Sequence, residues 1–436
     1  MTARSSEVLG PEQLVASMLA YRDALAATQA TLNRLNVFPV PDGDTGTNML
    51  LTLESVAVAV GELAGPADMA AVASVVGRAA LMGARGNSGV ILCQILRAFC
   101  SDLAPLAKAG ACEVAHALRA ASDAATAAVL EPAEGTILTV ADAAASAAGE
   151  VGEGGEPAPG LVAMLEAARR GAIDAVRRTP EQLPVLATAG VVDAGGAGLT
   201  LFFDGLLQAL DGRPLPGLEL PDEVRRLVGG AASTGRTGAG GAAPAPAGAD
   251  GEPGAAAGAR PATGAAAAAA GAAAAAAVTG DAGAPDRQPA LPGLDGCRYE
   301  VMYLLEAPDA AIPAFKEVWA GIGDSIVVVG GEGLWSCHIH TDEIGAAIEA
   351  ALDAGRPRRI RVTDLAEQVG AERIEEERWV REAARAGDGE GAQATPDLAT
   401  AGRARTTRVV AVATGEGIRR IFRSLGAEGV VSGGQS

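Results

Sequence analysis

Lysine is almost missing from this chain. Lys108 and Lys316 are the only two in 436 residues, although Lys plus Arg totals 34. Neither follows a Gly-x-x-x-x-Gly pattern and neither lies in a Val-Ala-Ile-Lys-like strand, which excludes a Walker A loop and a protein-kinase lysine. Any handling of nucleotide phosphates must therefore use metal, backbone N–H groups and arginine. Basic charge is also outnumbered: 34 against 53 acids gives a net charge of −19. Such a chain repels nucleic-acid phosphates and would attract a basic partner protein. Aromatic residues make up only 3%, so the cores must be built from Leu, Val, Ile and Ala. The five cysteines (Cys93, Cys100, Cys112, Cys297, Cys337) form an odd, sparse set without a signal peptide, which predicts a reduced, cytoplasmic setting. The longest weakly apolar run, Ala265 to Val278, is mostly alanine and falls short of the roughly 20 residues a membrane helix needs. No stable membrane insertion is expected.

What the chain does have is concentrated near its start, in Asn36-Val37-Phe38-Pro39-Val40-Pro41-Asp42-Gly43-Asp44-Thr45-Gly46-Thr47-Asn48. Pro39 and Pro41 forbid a helix and hold the chain extended. Gly43 and Gly46 permit tight turns. Two carboxylates separated by a single glycine can aim hard oxygen ligands at one point, which suits Mg²⁺ or Ca²⁺. Taken alone, the same stretch also reads as an Asx-rich connecting loop.

Apolar residues at three- and four-residue steps (Leu14, Met18, Tyr21, Leu25, Leu32, Leu35) open a helical pattern that continues to about Pro214. Helices are expected at Asn48 to Gly61, Asp68 to Met82, Val90 to Leu103, Glu113 to Val129, Ile137 to Ala147, Leu161 to Arg178 and Leu199 to Leu210. Ser88 and Thr136 are the expected N-caps of two of them. With almost no period-two alternation, this is an all-α domain of about eight helices. Several helices open on Gly together with hydroxyl or amide residues: Gly83 to Gly89, Glu134 to Thr136 and Asp193 to Gly198. Converging helix N-termini make an anion site, a way to hold phosphates without lysine. Each one alone reads equally well as an ordinary capped start.

The domain pattern is 1–217 all-α, 218–295 an Ala/Gly/Pro-rich linker, 296–385 a central βαββαβ unit of ferredoxin-like order, 386–407 a second linker, and 408–436 the opening of a cut-short α/β domain. The central unit pairs its first and third strands antiparallel. His338 and His340 then share one sheet face, Cys337 points to the other, and Cys297 lies beside the end of strand three. The chain has only three histidines, and two of them form this His-Ile-His. Cys297, His338 and His340 could bind Zn²⁺ or do nucleophilic or acid–base work.

The stretch from Leu35 to Met49, together with Gly83 to Gly89, Glu134 to Val140, Val192 to Gly198, Gly323-Asp324-Ser325 and His338-Ile339-His340-Thr341, closely resembles the bacterial fatty acid kinase catalytic subunit. Its N-terminal domain is similar to the ADP-binding subunit of dihydroxyacetone kinase, an all-α helical barrel. The resemblance covers about the whole chain except the linkers. It implies ATP-dependent phosphorylation of a fatty acid carboxylate held by a separate carrier protein, giving acyl phosphate and ADP. It also implies that Asp42 and Asp44 hold Mg²⁺, with Asn36 supporting that site. Thr45, Thr47, Asn48, Gly86, Asn87, Ser88, Gly89, Thr136, Asp193, Gly195 and Gly196 would contact ATP. Cys297, His338 and His340 would serve the transfer, and zinc at that cluster is a further expectation. A fatty-acid-binding carrier and a homodimer through the central domain are the partners implied; a nucleic acid is not. Two other readings remain beside this one: a kinase of a small hydroxyl compound such as dihydroxyacetone, and a non-catalytic nucleotide-binding subunit.

Overall fold

The computed structural model describes residues 7–63, 67–153, 160–229, 297–370, 410–413 and 429–432. A first unit ends at Ala383 and a second runs from Ala384 to Ser436.

The first unit opens with helices α1 (Pro11–Leu35), α2 (Thr45–Gly61), α3 (Met69–Gly83), α4 (Gly86–Leu103), α5 (Ala111–Ala128), α6 (Ile137–Glu153), α7 (Leu161–Gln182), α8 (Pro184–Ala189), α9 (Ala194–Asp211) and α10 (Asp222–Gly229). Pro11 fits the first helical position because no intrahelical partner awaits its missing N–H. The stripe of α1 read from the sequence is wholly buried: Leu14, Met18, Tyr21, Leu25, Leu32 and Leu35 are each 0% exposed. It packs on α9, which is buried nearly all round. The Tyr21 hydroxyl donates to the Gly198 carbonyl (3.1 Å), tying the two helices together. The few aromatics are gathered here, where Phe202 meets Phe99 at 5.3 Å, Phe203 at 5.6 Å and Tyr21 at 5.7 Å between ring centroids. Such offset and edge-on pairs add to area burial.

Two helices exceed the expected set. The short α8 begins at Pro184, and α10 lies inside the span assigned to the linker from residue 218. Leu220 and Val224 anchor the start of that segment in the helical core. The remainder of the expected linker, 230–295, lies outside the described residues, as do 371–409.

A sheet follows, with β1 (Tyr299–Glu306), a 3-10 turn (Asp309–Ala311), α11 (Ile312–Ala320), β2 (Gly323–Gly331), β3 (Leu334–Thr341), α12 (Ile344–Ala354) and β4 (Arg356–Asp364). The strand order is β2-β3-β1-β4, with every neighbouring pair antiparallel. Alternation sorts the side chains to two faces. Val301, Tyr303, Leu305, Cys337 and Ile339 pack under α11 and α12. Met302, Val327 and Val329 face the other way and join the core of the helical region. The sheet is thus covered on both faces. Its inner face rests on α3, α4 and α5, and the Leu130 N–H donates to the Ile326 carbonyl (3.2 Å) across the junction. Residues 365–370 turn into a helix whose Leu365 and Val369 pack on Val40, beside the Asp-Gly-Asp stretch.

In the second unit β5 (Val410–Ala413) and β6 (Gly429–Ser432) pair in parallel, Val410 opposite Gly429. The segment between them, 414–428, lies outside the described residues.

Candidate active site between the helical region and the sheet

The loop from α1 to α2 is held by its own polar side chains. Asn36 donates through Nδ2 to Asp42 Oδ1 (2.5 Å) and to the Val40 carbonyl (3.2 Å). Its Oδ1 accepts from the Thr45 hydroxyl (2.6 Å). Both ends of the amide are therefore engaged, and Asn36 orients Asp42 instead of offering an oxygen of its own. The Gln368 amide, from the helix after β4, donates to Asp44 Oδ2 (3.0 Å).

Asp42 and Asp44 are joined by a carboxylate that the sequence reading missed. Glu300, on β1, lines the same cavity of about 20 Å³, together with Asn36, Thr45, Gly86, Asn87, Ser88 and His340. That is room for about one water-sized occupant. Burial lifts Asp42 above the ordinary carboxylate range, and Asp44 and Glu300 lift it further. Asp44 is raised by burial too. Burial and then the charge of Asp44 push Glu300 up to about 7. Asp42 is buried and Asp44 and Glu300 are half-buried, and acids sharing one such space are eased by a cation or by protons. Asp42 and Asp44 offer the oxygen donors a hard divalent ion such as Mg²⁺ takes; Glu300 lines the same space, but its ligand oxygen is gathered with His338 and His340.

A second cavity shares the wall made by Phe38, Pro39, Thr45, Asn87 and Ser88. Its other side is lined by Thr136, Asp193 and Gly195, so residues from four helix starts face one space. Asn87 Oδ1 is buried there without a hydrogen-bond partner. Asp193 caps α9, its Oδ2 accepting from the Gly196 N–H at 2.6 Å, and burial pushes it up to about 6. The sheet contributes Ser325 and Val327 to this wall. Ser325 has φ 52°, a left-handed conformation that costs a serine on the order of 1–2 kcal/mol.

Several expected contacts differ in detail. Helix α4 begins at Gly86 with Arg85 as N-cap, so Ser88 sits in the first turn and is not the cap; its hydroxyl lies 3.2 Å from that of Thr45. Helix α2 likewise starts at Thr45, three residues early. The Thr136 hydroxyl donates to the Ala133 carbonyl (2.7 Å). Thr47 is turned away toward α1, accepting from Gln29 Nε2 (2.9 Å) and Asn33 Nδ2 (3.0 Å). Asn48 is buried and bonds Asp44. Gly86, at φ +52°, has no room for a Cβ beside the Asn48 amide. At Gly89 a Cβ would lie 2.7 Å from Thr52 Oγ1, so this glycine brings α4 against α2. Gly196 serves as the donor that Asp193 caps.

The histidine pair faces the same space from β3. His338 and His340 share one sheet face, ring centroids 5.0 Å apart. Ligand atoms of Glu300, His338 and His340 lie within 4.8 Å of one another, and the Cys297 sulfur is not among them. The register explains this: Glu300 stands opposite His340 and Met302 opposite His338. Cys297 precedes β1 and lies instead beside Asp324, in a cavity that His340 also lines. Burial and the nearby Asp324 and Asp342 push its thiol up to about 11, which opposes a ready thiolate. His338 is 0% exposed, neither ring nitrogen has a hydrogen-bond partner, and its Nδ1 lies 3.5 Å from Glu300 Oε2. Burial holds His338 well below the ordinary histidine range and His340 down at about 4. Both are neutral at physiological pH, the state in which imidazole ligates metal. Two imidazoles and a carboxylate fit Zn²⁺.

Comparison with known proteins accounts for this division of labour. Residues 39–208 match the DAK2 domain, and residues 296–372 match the middle domain of proteins like the A-subunit of fatty acid kinase. The chain carries a DAK2 domain and a fatty acid kinase-like middle domain. Protein YloV of Bacillus subtilis is 31% identical over 421 residues, 96% of this chain and 64% of that protein. An uncharacterized protein of Staphylococcus saprophyticus is 31% identical over 408 residues, 93% of this chain and 61% of its own length. The chain thus spans 61–64% of the length of these relatives. Among solved structures, the dihydroxyacetone kinase from C. freundii in complex with AMP-PNP and Mg²⁺ aligns with a TM-score of 0.35 at 19% identity, covering 45% of this chain and 34% of that one. The DAK2 domain supplies Asp42, Asp44 and the helix starts; the middle domain supplies Glu300, Ser325, His338 and His340. Among the described residues, no helix is long and apolar enough to cross a membrane.

Glu300 could have been found from the sequence. It shares an alternation phase with Met302 and Leu304 at the start of a strand that is apolar from Val301 to Leu305, and the expected strand pairing sets it across from His340. Gln368 gave no such signal.

Proposed function

We propose that the protein is an ATP-dependent kinase that phosphorylates the carboxylate of a fatty acid held by a separate binding protein, giving acyl phosphate and ADP. In this reading residues 1–217 form the helical barrel that binds nucleotide, and the sheet is a ferredoxin-like unit that completes its site. One observation carries the proposal: Asp42 and Asp44 of the DAK2 domain share a buried cavity with Glu300 and His340 of the middle domain, and that cavity adjoins the space lined by Asp193 and Gly195.

Phosphoryl transfer needs in-line positioning and neutralised charge more than covalent chemistry. Mg²⁺ held by Asp42 and Asp44 would supply that neutralisation, with Glu300 lining the same space. Asn36 and Gln368 fix the two aspartates by hydrogen bonds. The N–H groups at the starts of α2 and α4 would face the phosphates, apart from those of Thr47 and Gly86, which donate to Asn33 Oδ1 and Met302 Sδ; Thr45, Asn87 and Ser88 would orient them. Thr136, Asp193 and Gly195 wall the nucleotide. His338 and His340 would act as neutral imidazoles at the acceptor side, as hydrogen-bond partners of the incoming carboxylate or, together with Glu300, as ligands of a zinc ion. A homodimer through the middle domain fits the exposed Ile360 and Val362 of edge strand β4, and sedimentation at rising concentration tests it.

The decisive experiment is ADP release from ATP and Mg²⁺ with three acceptors: none, dihydroxyacetone, and a carrier protein loaded with fatty acid. Turnover with the loaded carrier alone is expected. Turnover with dihydroxyacetone alone would overturn the acceptor, and nucleotide binding without turnover under any condition would overturn the kinase.

A further inference from the structure

On the far flank of the same interface lies a cavity of about 300 Å³, within the range of small-molecule sites. It sits between the α3–α4 turn and strands β1, β3 and β4. Its polar lining is dominated by three guanidiniums: Arg85, Arg359 and Arg361. Among the described residues none of the three forms an ion pair with a carboxylate, although the neighbouring Arg358 pairs with Glu306 (2.5 Å). Arg85 donates only to the Ala84 carbonyl beside it (2.7 Å). Burial lowers Arg85 below the usual arginine range, and the charges of Arg361 and Arg359 lower it further. In a chain of net charge −19, three cations lining a cavity that no carboxylate lines call for an anion.

The backbone is shaped to bring them together. The pairing of β1 with β4 slips between Met302, opposite Arg361, and Leu304, opposite Arg358. Arg359 and Arg361 are two apart, so the strand alternation already favours one face for both. Arg359 lies in that bulge with φ 54°. Bulges commonly re-aim a side chain, and here both Arg359 and Arg361 line the cavity from its exposed mouth while Arg85 is half-buried. Leu81, Met82 and Leu304 complete an apolar floor.

We propose that this cavity binds a phosphate-bearing small molecule, distinct from whatever the carboxylate cradle holds. Guanidinium forks match phosphate oxygens two at a time. A phosphate carrying two or more charges answers three arginines, where a single carboxylate would leave most of their charge unmet. The apolar floor receives the group that the phosphate is attached to.

The test is isothermal titration of the full chain with pyrophosphate in EDTA, which disables any magnesium-dependent phosphate binding at the cradle. Octanoate is titrated in parallel. Saturable pyrophosphate binding is expected, retained in Asp42→Asn and weakened at least tenfold in the double variant Arg359→Gln/Arg361→Gln. Both replaced side chains are exposed, and circular dichroism checks the variant's fold; Arg85→Gln gives the second reading should the double variant misfold. No saturable pyrophosphate binding, an affinity the variants leave unchanged, or binding of octanoate in its place would overturn the proposal. Because no turnover is measured and no metal is present, this outcome is independent of the kinase assignment.

Discussion

The replacement His338→Leu separates a functional histidine from a structural one. The imidazole is fully buried, both nitrogens lack hydrogen-bond partners, and the surrounding inner face offers Met302 opposite it on β1 and Val327 on β2. A buried polar atom left unpaired costs about 1–3 kcal/mol, so a histidine kept here for packing alone is a poor choice. Leucine has similar bulk and no polar atom. The metal-free variant should therefore be more stable than the parent by about 1–3 kcal/mol. For a domain of 150–250 residues each kcal/mol moves Tm by roughly 2–4 °C, so a rise of several degrees is expected in EDTA. The measurement is a thermal melt in EDTA and again with excess Zn²⁺ or Mg²⁺, alongside ADP release at 25 °C. Metal should raise the Tm of the parent more than that of the variant, and the variant should lose turnover. If the variant melts below the parent in EDTA and turns over normally, the imidazole is part of the packing and the reasoning fails.

Asp42→Asn and Asp44→Asn should each lower ADP release by three orders of magnitude or about that, as loss of a charge-neutralising ligand implies, with the circular dichroism spectrum unchanged. Glu300→Gln should weaken Mn²⁺ binding, followed by electron paramagnetic resonance, roughly 10–100-fold; unchanged affinity would remove the middle domain from the cradle. Asp193 has a folded pKa of about 6 against 3.8 unfolded, raised by burial. Its contribution to stability is therefore greatest below the unfolded value and is lost as pH rises through about 6. Asp193→Asn keeps the cap and should remove about 3 kcal/mol of this pH dependence between pH 4 and 6, visible in urea midpoints across that window. Gly86→Ala would force a Cβ into the Asn48 amide at φ +52°; a cost of about 1–3 kcal/mol and loss of nucleotide affinity should appear together.

Much of the helical region was readable because burial there follows one rule. The α1 stripe repeats at helical spacing, and α9, β1 and β2 read as near-continuous apolar runs, signals that survive whatever the tertiary contacts are. Helix starts were less readable. Gly86-Asn87-Ser88 looks like a loop ending in a cap, yet glycine at positive φ lets α4 begin there, and the polar side chains occupy its first turn. Thr47 read as a nucleotide contact because its partners, Gln29 and Asn33, sit on α1 and nothing local announces them. The link between Cys297 and the histidines failed for a reason of register. A residue before the first strand lies past the end of the ladder, whereas Glu300, inside it, is aligned with His340.

What no local pattern could give is the docking of the sheet, and the chemistry depends on it. Asp42 and Asp44 alone would be two loop carboxylates that solvent could screen. The inner face of the sheet, with residues 365–370 folded over Val40, buries them, adds Glu300 and binds Asp44 through Gln368. Burying a third acid beside two others opposes docking unless a cation is present, so metal and middle domain should each favour the other's arrival at the cradle. The same face carries arginine on β4, and Arg361 pulls the Glu300 pKa back down while its neighbours raise it. Charge across the interface is thus divided, acids toward the nucleotide space and guanidiniums away from it. A site assembled this way can be complete only when the two regions are in contact.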